Sequence, residues 1–321
     1  MARFLLRRII RGVLVMFVVT IVVFGIFFVG PGPSNVAHVL AGRQATPKTI
    51  ALVSHRLLLD RPIIVQYGHF LNGLIHGNLG YSYYHGQPVT SVLKAAYPVT
   101  LSLALGAAVL WLILGVLSGV LSAVRTRSVA DRVTTVVALI FYSMPPFVLG
   151  LLLLYFVYYK LTLAGVHIFP GSGYTYFTAN PLHWFEGLIL PWLTLALVSA
   201  AAYTRLTRGS MLDVLSEDYI RTARSKGLSE RRVVFRHGLR AALTPIVSQF
   251  GIDLGVLIGG AVVTETVFGM PGLGFTAVQS IQQQDLPIII GVVILASAAV
   301  VVANIVVDAM YAVVDPRVRL R

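Results

Sequence analysis

Six stretches of this 321-residue chain run for eighteen residues or more with at most one charge between them, and that pattern excludes most folds at once. They are Gly12–Val29, Val99–Val124, Val133–Tyr159, Gly187–Thr204, Ala241–Thr264 and Leu286–Val307, and Asp253 is the single charge among them. A bilayer's hydrocarbon core of ~30 Å takes about 20 helical residues to cross. A water-soluble domain breaks its apolar runs with an amphipathic period, which these lack. The fold class expected is all-α, a polytopic membrane protein with six transmembrane helices. The mean hydropathy of +0.83 agrees. With no cysteine in the chain, disulfide and thiol chemistry are excluded.

A net charge of +13 invites a nucleic-acid reading, but the placement of the charges speaks against it. With six crossings, 19 of the 25 Lys and Arg fall on one side: Arg3 to Arg11, Arg125 to Arg132, Arg205 to Arg240, and Arg317 to Arg321. The positive-inside rule makes that side cytoplasmic, with both termini on it. The basicity is a topology signal, and no nucleic-acid partner is expected. The Arg-rich start and first apolar run read as an uncleaved signal anchor, since the run exceeds an h-region and no A-x-A site precedes Pro31.

The chain divides into an N-terminus with the first helix (1–30), an extracytoplasmic segment (31–97), a core of helices 2–6 (98–313) and a tail (314–321). Pro31-Gly32-Pro33 ends the first crossing. Thr46-Pro47 looks like a cap and first helical position for a helix to about Leu58, and a second, amphipathic helix follows over 63–75. Gly77, Gly80, Tyr81, Tyr83 and Tyr84 predict a loop or short extended piece at the membrane surface. This outer layer serves either as a docking surface or as a lid packed on the bundle. Pro145-Pro146 must break the third crossing, which fits either a lining of the translocation path or a structural kink. Gly115-x-x-x-Gly119 and Gly251-x-x-x-Gly255-x-x-x-Gly259 predict close helix packing. Residues 268–287 are too polar to cross and predict a turn with a short re-entrant helix.

Residues 216–245, SEDYIRTARSKGLSERRVVFRHGLRAALTP, carry seven Lys or Arg, one His and three acids in an otherwise apolar chain. Ser216 reads as an N-cap, with Glu217 and Asp218 in the first turn where the helix dipole favours anions. Arg224 and Lys226 fall near the other end, Gly227 sits where a left-handed residue belongs, and Leu228 follows it. Ser229-Glu230 restarts a helix into the fifth crossing. A capped helix and glycine-controlled turn can transmit force to the bundle, whereas a plain solvated loop needs no such order.

DYIRTARSKGLSERRVVFRHGLRAALTPIV resembles the cytoplasmic coupling loop, residues 209–242 here, of permease subunits in ABC importers of the oligopeptide/dipeptide type. Ala223 and Gly227 occupy the alanine and glycine of that superfamily's EAA loop. Arg221 and Thr222 stand where the generic loop has Glu and Ala, and His237-Gly238-Leu239-Arg240 replaces its downstream IxLP. These departures are similar to the peptide-type subgroup. FFVGPGP, LLLDRPIIVQYGHFLNGLIHGNLGYS, YSMPPFVLG, GGAVVTETVFGMPGLG and VVDAMYAVVDPRVR extend the likeness along nearly the whole chain, with Ser34 and Asn78 where Asp is common. The resemblance implies the type I importer permease fold, a second related permease, two cytoplasmic ATPases and an extracytoplasmic solute-binding protein. It assigns ATPase coupling to Glu217, Asp218, Tyr219, Arg221, Thr222, Ala223, Arg224, Lys226, Gly227 and Leu228.

No G-x-x-x-x-G-K-S/T is present, so this chain has no P-loop, and ATP and magnesium are expected on the partners. No cofactor, metal motif or catalytic site is expected in this chain. Intramembrane acids are costly and mark interiors or partners. Asp253 either lines the path, attracting a cationic substrate end, or pairs with the second permease. Glu265, placed with Pro145, Pro146 and Asp253 on the translocation path, suggests pairing or gating rather than substrate binding, and Asp308 a structural role near the arginines of the tail. The reading is a permease importing oligopeptides or dipeptides by alternating access. The alternatives are the same machinery moving nickel, haem or another small solute, an ion-coupled secondary transporter using Asp253, and a membrane anchor that recruits a cytoplasmic partner.

Overall fold

The computed structural model describes residues 2–30, 36–38, 45–56, 58–82 and 84–314. Pro31-Gly32-Pro33, Ser34, Tyr83 and the arginines of the tail lie outside them. Helix α1 (Ala2–Phe24) continues through one wider turn, Gly25–Val29. Helix α2 (Pro47–Arg56) starts where Thr46 Oγ1 accepts the Thr49 N–H at 3.3 Å, as the Thr-Pro pair predicts. It stops two residues short of the expected end, because Leu58 turns the chain with a φ of +55°. After α3 (Ile63–Ile75), the extended piece is a small antiparallel hairpin, β1 (Tyr81–Ser82) and β2 (Gln87–Pro88), with Tyr81 opposite Pro88.

Three long rods follow. Helix α4 (Val89–Val124) has 36 residues, about 54 Å at 1.5 Å per residue, so it outruns a ~30 Å core. The third crossing is broken at the expected place into α5 (Val129–Ser143) and α6 (Pro146–Leu163), with Pro146 at the first helical position. Helix α7 (Pro181–Leu215) is far longer than its apolar run. Asn180 Oδ1 opens it by accepting the Leu182 and His183 N–H groups, and Pro181 follows as a pre-shaped first residue. Then come α8 (Asp218–Ser225), α9 (Leu239–Gly260), α10 (Val262–Val267), α11 (Leu273–Gln283) and α12 (Leu286–Val314).

Among the described residues, five helices are long and apolar enough to cross a membrane, the first at Leu6–Val29 and the last at Leu286–Asp308. The remaining run, expected over 241–264, forms α9, whose 22 residues span about 33 Å. Glycines set the contacts, as the small-residue spacing predicts. A Cβ on Gly115 would overlap Tyr203 and stand 3.1 Å from the Ala200 carbonyl oxygen, and Gly119 meets Thr204 and Thr207 in the same way. Gly106, which no motif marks, leaves room for the Trp192 ring, whose Nε1 donates to the Ser102 carbonyl at 3.0 Å. Gly251 lets α9 approach Val307 of α12, and Gly12 lets α1 approach Val301. The core lies between α4 and α7, with Trp111 and Tyr203 fully enclosed.

Because the Gly115 contact is with backbone as well as side chain, Gly115→Ala forces α4 and α7 apart. It is expected to cost about 1–3 kcal/mol, as overpacking does. Thermal unfolding in detergent measures it, with the surface change Leu117→Ala as the control that moves little.

Candidate functional site

The basic island folds into a short lever. Its start differs from the expected one. Ser216 does not cap α8; it ends α7, its hydroxyl donating to the Asp213 carbonyl at 2.7 Å. The serine satisfies an orphan carbonyl of the preceding helix because α7 runs on to Leu215 instead of ending at the membrane. Glu217 takes the N-cap position by backbone conformation alone, and Asp218 occupies the first turn.

The far end of α8 matches the sequence reading. The Gly227 N–H bonds the Arg224 carbonyl at 2.9 Å and the Leu228 N–H reaches back to the Ala223 carbonyl at 3.4 Å. Gly227 has a φ of +74°, open to glycine and strained for other residues. Leu228 closes the turn by packing with Ile220, Ala223 and Val233. That apolar underside seats α8 on Val214 and Leu215 of α7 and on the wider turn Val233–Gly238 that leads into α9. Tyr219, Arg221, Thr222, Arg224, Lys226 and Gly227 stay exposed on the other side. Lever and bundle are thus one packed unit with a polar outer face.

An ion pair missed by sequence reading braces the lever. Arg224 donates through Nη2 and Nε to the two carboxylate oxygens of Glu230, at 2.7 and 3.1 Å. The pair spans the glycine turn and holds the Glu230 carboxyl below its ordinary value. Both side chains are about half exposed, so the contribution to stability is about 0.2–1 kcal/mol. A double-mutant cycle of Arg224→Ala and Glu230→Ala is expected to give a coupling in that range, falling as salt is raised.

Further along, Asp131 in the first turn of α5 accepts from Arg208 of α7 at 2.9 and 3.2 Å, from Ser122 Oγ and from the Arg127 N–H at 2.9 Å. The guanidinium, the hydroxyl and the amide hold its carboxyl well below the usual range. This group ties the lever-side ends of α4, α5 and α7 together.

The acids expected to matter in the membrane fall into separate groups. Asp253 on α9 accepts from the Tyr203 hydroxyl and from Gln249 Nε2, both at 2.9 Å, so it has partners within its own chain. Glu265 on α10 is fully enclosed. It accepts the Thr100 hydroxyl at 2.6 Å and the Phe275 N–H at 2.9 Å, while Thr100 Oγ1 itself accepts the Leu273 N–H at 2.8 Å. The carboxylate therefore caps α11 from a distance, and Gly272 lacks the Cβ that would strike it. Asp308 pairs with Arg8 of α1 at 3.1 Å, a structural tie as expected, and the tail arginines lie outside the described residues. Pro145 and Pro146 are exposed at the break.

At the end of the bundle opposite the lever, Ser82, His85 and Asp285 meet across 200 residues of sequence. Ser82 Oγ donates directly to the Asp285 carboxylate, and His85 Nδ1 lies 3.2 Å from the same oxygen. His85 Nδ1 also lies 3.1 Å from Ser82 Oγ, and the three side chains clasp the hairpin to the start of α12. No group of three His, Asp or Glu among the described residues is placed to hold a metal ion.

Membrane-length helices with a braced polar element at one end define a polytopic membrane protein. The solved inward-facing structure of the MetNI methionine ABC transporter shares this fold, at a TM-score of 0.53 and 19% identity over 70% of this chain and 96% of that one. Among curated relatives, a probable peptide ABC transporter permease protein (y4tP) of Sinorhizobium fredii is 39% identical over 99% of this chain and 100% of its own length. A glutathione transport system permease protein (GsiC) of Escherichia coli is 36% identical over the whole of both. The family described as binding-protein-dependent transport system inner membrane component matches residues 111–320, and its N-terminal counterpart matches 1–104. The chain belongs to this family of ABC transporter permeases.

Proposed function

We propose that this permease imports short peptides by alternating access, driven through α8 by ATP hydrolysis on partner subunits. In this reading the lever side is cytoplasmic, with both termini on it. A second, related permease completes the pore, two ATPases that bind ATP and magnesium receive α8, and an extracytoplasmic binding protein delivers the solute. The observation that carries the reading is the seating of α8: an apolar underside locked to α7 and the entry of α9, and a polar face left free. A lever so mounted moves the bundle when it is pushed. The peptide assignment is supported by the relatives named for peptides and for glutathione, itself a tripeptide.

Reconstitution in liposomes tests it. With its partners, the chain is expected to take up labelled short peptides only when ATP is inside the vesicle-equivalent of the cytoplasm and binding protein is outside. A cysteine at Thr222, in a chain that has none of its own, is expected to cross-link to an ATPase subunit. Uptake by the chain alone under an ion gradient, abolished by Asp253→Asn, would instead establish secondary transport.

A further inference from the structure

Helix α3 presents three faces rather than two. One packs inward: the Tyr67 hydroxyl donates to Thr20 Oγ1 at 2.9 Å, whose own hydrogen goes to the Phe17 carbonyl, and Phe70 lies against the Phe24 and Phe28 rings. A second is polar and exposed, made of His69, Asn72 and His76. The third is apolar and equally bare, for Ile64 is 82% exposed and Ile75 74%. Those two residues are eleven apart, three helical turns, so they share one azimuth.

The depth of α3 follows from the helices beneath it. Helices α1 and α12 run antiparallel, with Arg8 beside Asp308 at the lever end and Val23 packed with Ile290 and Ile294 at the other. The uncharged run of α12 begins just after Asp285, so the edge of the hydrocarbon lies near Ile288–Ile290 and Val23–Phe27. Phe70 and Leu74 of α3 belong to that same Val23–Ile290 cluster, and Tyr67 reaches deeper still, to Thr20. Helix α3 therefore crosses the α1–α12 pair at the hydrocarbon edge and does not stand above it. Val22, Ile26 and Val29 carry an exposed apolar column of α1 up to this level, and the neighbouring hairpin exposes Tyr81 and Tyr84, the residues of an interfacial aromatic belt.

We infer that α3 is an in-plane membrane helix whose Ile64–Ile75 stripe is immersed among the acyl chains of the leaflet opposite the lever, with His69 and His76 in the headgroup water. Its partner is lipid, continuous with the lipid that wets the exposed column of α1. The helix would then fix the rotation and depth of α1 against the bilayer.

Spin labels at single cysteines test the assignment in the assembled transporter in liposomes, using cysteine-free partner subunits. At Ile64→Cys and Ile75→Cys, the ratio of oxygen to water-soluble nickel-chelate accessibility is expected to exceed that at His69→Cys and His76→Cys by at least about threefold. A fluorophore at the same two isoleucine positions is expected to be quenched by bromine-labelled lipid. High nickel accessibility at 64 and 75 would overturn the inference by placing the stripe in water. Low accessibility to both reagents without lipid quenching would overturn it in favour of a protein partner.

Discussion

Replacing Gly227 with valine is expected to cut solute-stimulated ATP hydrolysis by the assembled transporter severely while leaving assembly intact. The reason is conformational. Gly227 holds a φ of +74°, and a side chain in the left-handed region costs about 1–2 kcal/mol, more when branched at Cβ. Apart from its chain neighbours, no described residue lies within 4 Å of where its Cβ would stand, so the bundle has no clash to relieve. The strain is released by opening the turn, which changes the angle at which α8 meets α7 and α9. Each 1.4 kcal/mol of mismatch at the lever's contact is worth about tenfold, so the stimulated rate should fall by about tenfold or more. Gly227→Asn, which tolerates the left-handed region, should retain most of it. Wild-type stimulation in the valine variant, measured on complexes of confirmed stoichiometry, would remove the coupling role from the turn.

The second large effect is expected at Glu265. In Glu265→Ala the Phe275 N–H and the Thr100 hydroxyl lose their acceptor where no water reaches, and a cavity replaces the carboxylate. Unpaired buried donors and lost volume together should cost about 3–5 kcal/mol, read as a lower midpoint of thermal unfolding in detergent. Proteolysis between Phe268 and Asp285 should accelerate, because α11 loses the group that fixes its start. Glu265→Gln keeps the shape and one acceptor but turns an amide toward a donor, and should cost about 1–3 kcal/mol. If both variants unfold like the parent, the carboxylate is not what holds α11.

What was legible in the sequence was local. The apolar runs, the proline break after Met144 and the turn at Gly227 are each written in a handful of adjacent residues, and each appears where its chemistry requires. Ser216 misled because a serine at a helix boundary serves either helix: its hydroxyl accepts from the next turn or donates to the last one. The choice fell to α7, whose length depends on packing that no window of sequence displays. The polar partners were invisible for a related reason. Tyr203 meets Asp253 across 50 positions, Arg208 meets Asp131 across 77 and Thr100 meets Glu265 across 165. Each partner, taken alone, is an ordinary residue in a helix. The exposed stripe of α3 was read only as amphipathicity, because its depth is set by how α1 and α12 pair.

The clasp of Asp131 by Arg208, Ser122 and the Arg127 amide has a mechanical corollary. It rivets three rods together at the ends nearest α8, so those stubs turn as one gearwheel and cannot slide past each other. Flexing has to take place further up, and in the α5–α6 rod the backbone offers a joint at Met144-Pro145, where proline has deleted the hydrogen bonds that would stiffen it. If α8 is pushed as proposed, torque applied at the base would arrive at mid-depth as a hinge opening.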